Sequence, residues 1–257
     1  MKQYKFTIIL SLITFFILII AMACQNKPTQ KKTMDAVDST GIVVMELFTS
    51  QGCSSCPPAD KLLGKYAMAG DDHIIPLAFH VDYWNRLGWA DPFSSPKFSK
   101  RQRDYSILIN GSSVYTPQLV INGEKELVGS DEANIAAIVK SESMISPAVH
   151  ISINKIETND KLITVIFNLD KTIKFTTIQA ALVQKKVSTN ILRGENIGIQ
   201  LINYNVVRDF NSVPAGSKNL SIGLNIPAGL NEKDFTIVLY AQDDASGKIT
   251  AAAQKAL

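Results

Sequence analysis

The sequence predicts two folded parts in series: an α/β domain built on a mixed sheet, then an all-β, sandwich-like domain. Between residues 42 and 146, short continuous apolar runs alternate with stretches whose apolar residues recur at helical spacing, the pattern of a sheet covered by helices. Beyond Ser146-Pro147 the pattern changes to apolar-polar alternation, and no helical stretch follows. Hydrophobic residues make up 46% of the 257 residues and charged residues 19%, which provides for a globular core and excludes a disordered, charged tail protein.

The elements can be justified in order. Gly41 opens the apolar run Ile42 to Phe48, expected to be a strand buried on both faces. Thr49 to Gly52 form a loop that leads into Cys53, and from Pro58 the residues Leu62, Leu63, Tyr66 and Ala67 mark a helix with Asp60 near its positive end. Ile74 to His80 is a second buried strand, followed by an aromatic loop from Val81 to Pro96 and a helix from Pro96 to Leu108. Gln118 to Ile121 and Glu126 to Val128 flank Asn122-Gly123, a hairpin signal, and Ser130 is the expected N-cap of a helix from Asp131 to Ser143. Strand, helix, strand, helix, hairpin, helix is the topology of glutaredoxin and of the thioredoxin core, so residues 42–146 are expected to form a thioredoxin-like domain with a glutaredoxin-type core. In residues 147–257, alternating runs near 149–153, 163–169, 178–182, 197–207, 220–226, 235–241 and 248–253 are separated by turn residues and predict a β-sandwich.

The N-terminus reads as a targeting segment. Lys2 and Lys5 precede the run Phe6 to Ala23, which no charged residue interrupts. As a helix that run would span roughly 27 Å, so residues 1–23 are expected to be a signal peptide or an uncleaved anchor. Ala21 and Ala23 stand before Cys24, and the chain turns polar at once after it, which resembles a bacterial lipoprotein signal with Cys24 as the acylated residue. Ala21 occupies the place where the usual pattern has Leu. Either reading puts the folded part outside the cytoplasmic membrane, in the periplasm or at the cell exterior, where thiols can stay oxidised. Residues 24–41 read as a polar tether to the membrane. Lys plus Arg number 26 against 23 Asp plus Glu, with no long basic block, so nucleic acid is not an expected partner.

The remaining two of the 3 cysteines form Cys53-Ser54-Ser55-Cys56, directly after a buried strand and before a helix. Unpaired N–H groups and the helix dipole stabilise a thiolate there, and a pair two residues apart can close a disulfide, so Cys53 is expected to be the nucleophile and Cys56 the resolving thiol. Pro57 and Pro58 complicate this by delaying the helix start, which could direct the dipole to Cys56. A permanently closed structural disulfide is the alternative. A copper or zinc site using Cys53, Cys56 and His80 is a further one, although no metal-ligand spacing accompanies the pair. Thr116-Pro117 precedes the hairpin; in the thioredoxin superfamily a proline here is cis, packs over the disulfide, and lets the preceding residue dock an extended substrate peptide.

Glu46 to Asp60, Phe79 to Trp84 with Leu87 to Trp89 and Asp91 to Phe93, Arg101-Gln102, Tyr115 to Gln118, Gly129 to Asp131, Arg193 to Asn196 and Asn205 to Arg208 resemble the exported thioredoxin-like proteins catalogued as domain of unknown function 1223. The resemblance covers about residues 42 to 257; Asn85, where an acid is expected, departs from it. It implies a thioredoxin fold and export, and no particular substrate. Trp84 and Trp89 of the aromatic loop are candidates, with Thr116 and Pro117, for gripping a substrate polypeptide beside the cysteines. Lys97, Lys100, Arg101 and Arg103 on the next helix read as a solvated face. The leading expectation is an exported thiol-disulfide oxidoreductase acting on protein thiols or disulfides without a cofactor. Its rivals are a non-catalytic cell-envelope binding or assembly module and a metal delivery protein.

Overall fold

Strand β1 (Val43–Thr49) is buried along its whole length and gives its two faces to two different cores. Val43, Met45 and Leu47 pack with Ala59, Leu62 and Leu63 of helix α1 (Pro57–Ala69) and with Ile135 and Val139 of helix α3 (Glu132–Glu142). Val44 and Phe48 point the other way, to Phe98 and Tyr105 of helix α2 (Pro96–Leu108). A strand that water reaches on neither face is made largely of apolar residues, and the one charge in this strand, Glu46, is buried with a partner. The computed structural model describes residues 41–109, 111, 113–216 and 220–257. The expected signal or anchor, Cys24 and the tether up to residue 40 lie outside the described residues.

Around β1 the first elements follow the expected order. Strand β2 (Ile74–His80) runs parallel to β1, and β3 (Gln118–Ile121) pairs antiparallel on its other side, followed by β4 (Lys125–Val128). The β3–β4 turn uses Asn122 and Gly123 at φ 48° and 72°, the left-handed region that suits these residue types. Helix α2 is capped by Ser95, which accepts from Lys97 N, with Pro96 at the first position. The N-cap of α3 is the Asp131 side chain rather than Ser130.

The second part departs from expectation. The remaining strands are β5 (Ile151–Asn159), β6 (Leu162–Leu169), β7 (Thr176–Asn190), β8 (Gln200–Pro214), β9 (Leu220–Asn225), β10 (Phe235–Asp243) and β11 (Ile249–Ala256). They do not form a sandwich of their own. Four of them join the first strands in one mixed, eight-stranded sheet of order β11-β10-β7-β8-β2-β1-β3-β4, and β5-β6-β9 make a separate three-stranded sheet. About 43% of the described residues are strand, so the thioredoxin-like α/β domain followed by an independent all-β domain is not what the chain builds. One large sheet runs through residues from both parts.

The layers explain how this sheet is covered. Ile178, Ala180 and Leu182 of β7, with Ile237 and Leu239 of β10, pack against Ile163, Val165, Leu220 and Ile222 of the small sheet. Their neighbours Ala181, Val183, Val238 and Tyr240 face the opposite way, into the core beneath α2. The alternation of Ile178, Ala180 and Leu182 marks one face of β7, but it says nothing about which strand lies alongside. The joint between β2 and β8 is the single parallel pair Ala78↔Val206. Pro76 limits that joint: Asn205 Nδ2 donates to Pro76 O at 2.9 Å, so this edge of Pro76 faces β8, and the same residue has no N–H to offer.

A buried ion pair ties the elements together. Arg101 Nε donates to Glu46 Oε1 at 2.8 Å and Nη2 to Glu46 Oε2 at 2.9 Å, while Tyr240 OH donates to Glu46 Oε1 at 2.6 Å. Tyr105 OH also bonds Glu46 Oε2. The guanidinium lies 4.9 to 5.8 Å from the ring centres of Phe79, Tyr105, Phe210 and Tyr240. Arg101 therefore does not belong to the solvated face expected for α2. Its side chain is 10% exposed and links α2 to β1 and β10.

Candidate functional site

The end of β1 and the start of α1 hold the two cysteines, which form a disulfide with Cα atoms 5.4 Å apart. Helix α1 begins at Pro57 with Cys56 as its N-cap. The prolines thus place Cys56, not Cys53, at the helix end, and remove two of the first-turn N–H groups. Ala59 N and Asp60 N both donate to Cys56 O, at 2.9 and 3.1 Å. Both sulfur residues are 0% exposed, so Cys53 does not lie toward the surface as its place before the helix suggests. The two serines between them are exposed.

Polar hydrogens converge on Cys53. The Thr116-Pro117 peptide is cis, and Thr116 Oγ1 donates to Cys53 Sγ at 3.3 Å. Trp84 Nε1 donates to Thr116 Oγ1 at 2.8 Å. An indole N–H can only donate, so the single hydroxyl proton of Thr116 is directed at the sulfur. Ser55 Oγ lies 3.3 Å from the same sulfur. Trp84 and Thr116 therefore meet at Cys53, with Pro117 buried behind them. Trp89 does not join this chain: its Nε1 donates to Gln51 Oε1 at 3.2 Å, bracing the loop before the cysteines.

Neighbouring motif residues hold these groups in place. Gln102 Nε2 donates to Tyr115 O at 2.7 Å and to Gln118 Oε1 at 2.8 Å, fixing the cis-proline segment from α2. Asn85 accepts from Asp91 N at 3.0 Å and donates to Ser94 Oγ at 2.9 Å, so an amide does here what an acid could not, giving and receiving at once. Asp91 Oδ2 accepts from Gln51 N at 2.8 Å and sits 2.7 Å from His80 Nδ1.

Behind the disulfide lies a buried polar cluster that sequence reasoning missed. Among the described residues, the buried side-chain atoms without a hydrogen-bond partner are Thr49 Oγ1, both oxygens of Asp60, His80 Nε2 and Asn203 Nδ2. Thr49 and His80 are cross-strand neighbours, and Asp60 follows Cys56 by one helical turn. Burial pushes the Asp60 carboxyl up to about 6, against the opposing pull of His80. Burial alone would lower His80, but the Asp91 carboxylate outweighs it and raises the imidazole above its ordinary value. His80 is thus engaged with Asp91, and among the described residues no group of three or more His, Cys, Asp or Glu side chains converges to hold a metal.

A second unforeseen contribution comes from the loop between β7 and β8. Asn196, only 3% exposed, donates from Nδ2 to Gln51 O at 2.9 Å and to Cys53 O at 3.0 Å. Glu195 Oε2 accepts from Ser54 N at 3.1 Å. Gly194, at φ 78°, backs onto the aromatic loop, where a Cβ would come within 3.1 Å of Trp89 Cβ. The polar run Arg193-Gly-Glu-Asn196 was the available signal. A cavity of about 360 Å³ lies elsewhere, at the far end of α1 between Tyr66, Pro76, Val183 and Tyr204. No helix among the described residues is long and apolar enough to cross a membrane.

Residues 44–242 match the sequence profile of a family described as a protein of unknown function, DUF1223. No curated protein matches the chain. A protein of Agrobacterium tumefaciens known from an X-ray crystal structure is 26% identical with a TM-score of 0.63, the match covering 83% of this chain and 94% of that one. HBP35 of Porphyromonas gingivalis is 17% identical with a TM-score of 0.63, over 85% of this chain and 76% of that one, a likeness of fold alone.

Proposed function

Since the chain belongs to DUF1223, a family of unknown function, its activity has to be read from its own residues, and we propose that it is an exported thiol-disulfide oxidoreductase acting on protein thiols or disulfides. The observation that carries this reading is the hydrogen-bonded chain from Trp84 through Thr116 to Cys53 Sγ. A disulfide sulfur is a weak acceptor and a staple gains little from a directed hydroxyl, whereas a thiolate gains a charge-assisted hydrogen bond. The arrangement therefore favours Cys53 in its reduced, ionised state.

In the reducing direction, the Cys53 thiolate attacks a sulfur of a substrate disulfide, forming a mixed disulfide and expelling one substrate thiolate. The Cys56 thiolate then attacks Cys53 Sγ, closing the Cys53–Cys56 bond and expelling the second substrate thiolate. Two electrons pass to the substrate, and the two protons released by the cysteines end on its thiols. The oxidising direction is the reverse. An extended polypeptide docks along the Thr116-Pro117 segment, with Trp84 and Trp89 beside it. Cys24, acylated, or an uncleaved N-terminal helix holds the protein at the membrane, facing the periplasm or the cell exterior.

One observation favours the rival, a cell-envelope binding module with a structural disulfide: both cysteines are 0% exposed. Redox titration separates the two. A reversible transition at a potential above about −300 mV is expected for the oxidoreductase, and resistance to reduction at such potentials would overturn it. Cells carrying Cys56→Ser are expected to accumulate mixed disulfides through Cys53.

A further inference from the structure

The loop between β7 and β8 reaches the cysteine turn from more than 140 residues away, and what it brings is a charge. Asn196 grips Gln51 O and Cys53 O, separated from Cys53 by 143 residues in sequence, and Glu195 accepts the Ser54 N–H directly after Cys53. The loop is itself held in shape by Gly198 N donating to Ile191 O and Ile191 N donating to Ile199 O, both at 2.9 Å. Its carboxylate, though exposed, is seated on the Ser54 N–H, one residue after Cys53.

That seat has an electrostatic consequence. The disulfide carries no charge and is indifferent to Glu195. Once the pair is reduced, a thiolate on Cys53 has a carboxylate of the same sign bonded to the next residue's N–H, an amide hydrogen that Glu195 has taken for itself. Thr116 and Glu195 therefore pull in opposite directions, one favouring the Cys53 thiolate and the other disfavouring it.

We infer that Glu195 is a positioning residue that restrains ionisation of Cys53 and biases the pair toward its disulfide, with Asn196 holding the turn against it. This inference rests on the reading of Cys53–Cys56 as a redox pair. It assigns a role to the C-terminal strands: they deliver the group that tunes cysteines made by the N-terminal part.

The test uses the full-length protein in detergent and the substitution Glu195→Gln, which keeps the acceptor for Ser54 N–H and removes only the charge. In a Cys56→Ser background, alkylation of Cys53 by iodoacetamide is followed against pH. At neutral pH and low salt, Glu195→Gln is expected to react about threefold faster, the scale of a unit charge acting over roughly 6 Å in a water-like dielectric. The gain should fade in about 1 M salt, where the Debye length falls to about 3 Å. Glu195→Asp should stay closer to the wild type. With both cysteines present, Glu195→Gln should shift the equilibrium with glutathione toward the dithiol, a readout that serves if the doubly substituted protein fails to fold. Identical pH profiles and glutathione equilibria for Glu195→Gln and wild type overturn the inference while leaving the redox reading intact. A wild-type disulfide that dithiothreitol and glutathione cannot open overturns both.

Discussion

Trp84 reaches Cys53 through one intermediate atom: its indole N–H donates to Thr116 Oγ1 at 2.8 Å, and the Thr116 hydroxyl donates in turn to the sulfur 3.3 Å away. A tryptophan expected to grip substrate thereby also orients a hydrogen bond to the Cys53 sulfur.

Thr116→Val keeps the shape of the side chain and removes that bond. A hydrogen bond to a charged group contributes about 1.5 to 3 kcal/mol, so Cys53 alkylation in a Cys56→Ser background should slow at least about tenfold at neutral pH. Trp84→Phe should slow it less, since the hydroxyl survives but loses its direction. Unchanged rates for Thr116→Val would remove the support for Cys53 as the nucleophile.

Cys53 and Cys56 can be compared directly by alkylating the two single serine variants. Cys53, with Thr116 and Ser55 around its sulfur, should react faster in Cys56→Ser than Cys56 does in Cys53→Ser. The helix begins at Pro57 with Cys56 as its cap, so the reverse order would mean that the dipole outweighs the hydroxyls and that Cys56 attacks first.

Asp60 gives the fold a pH signature. Its carboxyl, pushed by burial to about 6, is favoured protonated in the folded state, so its contribution is complete at pH values below the ordinary 3.8 and is lost as pH rises through about 6. The loss amounts to roughly 3 kcal/mol between those limits. His80, raised by Asp91 against the effect of its burial, acts with the same sign at higher pH: its contribution is lost as pH rises through its elevated value. Asp91 is lowered despite its burial, chiefly by His80, so its own contribution disappears only under stronger acid. Asp60→Asn should therefore raise the melting temperature at pH 7 to 8 and flatten its rise toward pH 5; a variant with the wild-type slope would refute this account.

Arg101 should be more costly to lose than any exposed lysine of α2. Arg101→Leu leaves the Glu46 carboxylate, whose side chain is 0% exposed, without its cation, and should destabilise the protein by about 3 to 5 kcal/mol in urea unfolding. Adding Glu46→Gln should restore part of that loss. A loss under about 1 kcal/mol would show that the tyrosines alone hold Glu46.

Cys24 is tested by lipid labelling in cells. Cys24→Ser should abolish incorporation of labelled fatty acid and retain the signal segment; undiminished labelling would sink the lipoprotein assignment.

The parts legible in the sequence are those that local chemistry determines. β1 and β2 announce themselves because burial on both faces demands a predominantly apolar run, and Asn122-Gly123 because few other pairs accept left-handed backbone twice running. Alternation of Ile178, Ala180 and Leu182 likewise marked one face of β7. It could not say that β8 would lie against β2, since register and partner depend on what else is available, and a proline in β2 argues against a ladder there. Arg101 was misread because a charge on a helix is usually solvated, and only the positions of Glu46, Tyr105 and Tyr240 in space reverse that expectation. Glu195 and Asn196 were legible only as part of the polar run Arg193-Gly-Glu-Asn196, since a polar tetrapeptide in a hairpin loop does not show which backbone it will meet.

The distance along the chain between Cys53 and Asn196, 143 residues, also orders events in time. A ribosome delivers the cysteines first, and the loop that seats a carboxylate beside them only after most of the protein has been made. For that interval, the nascent cysteines have neither the loop that carries Glu195 and Asn196 nor the strand that borders β2.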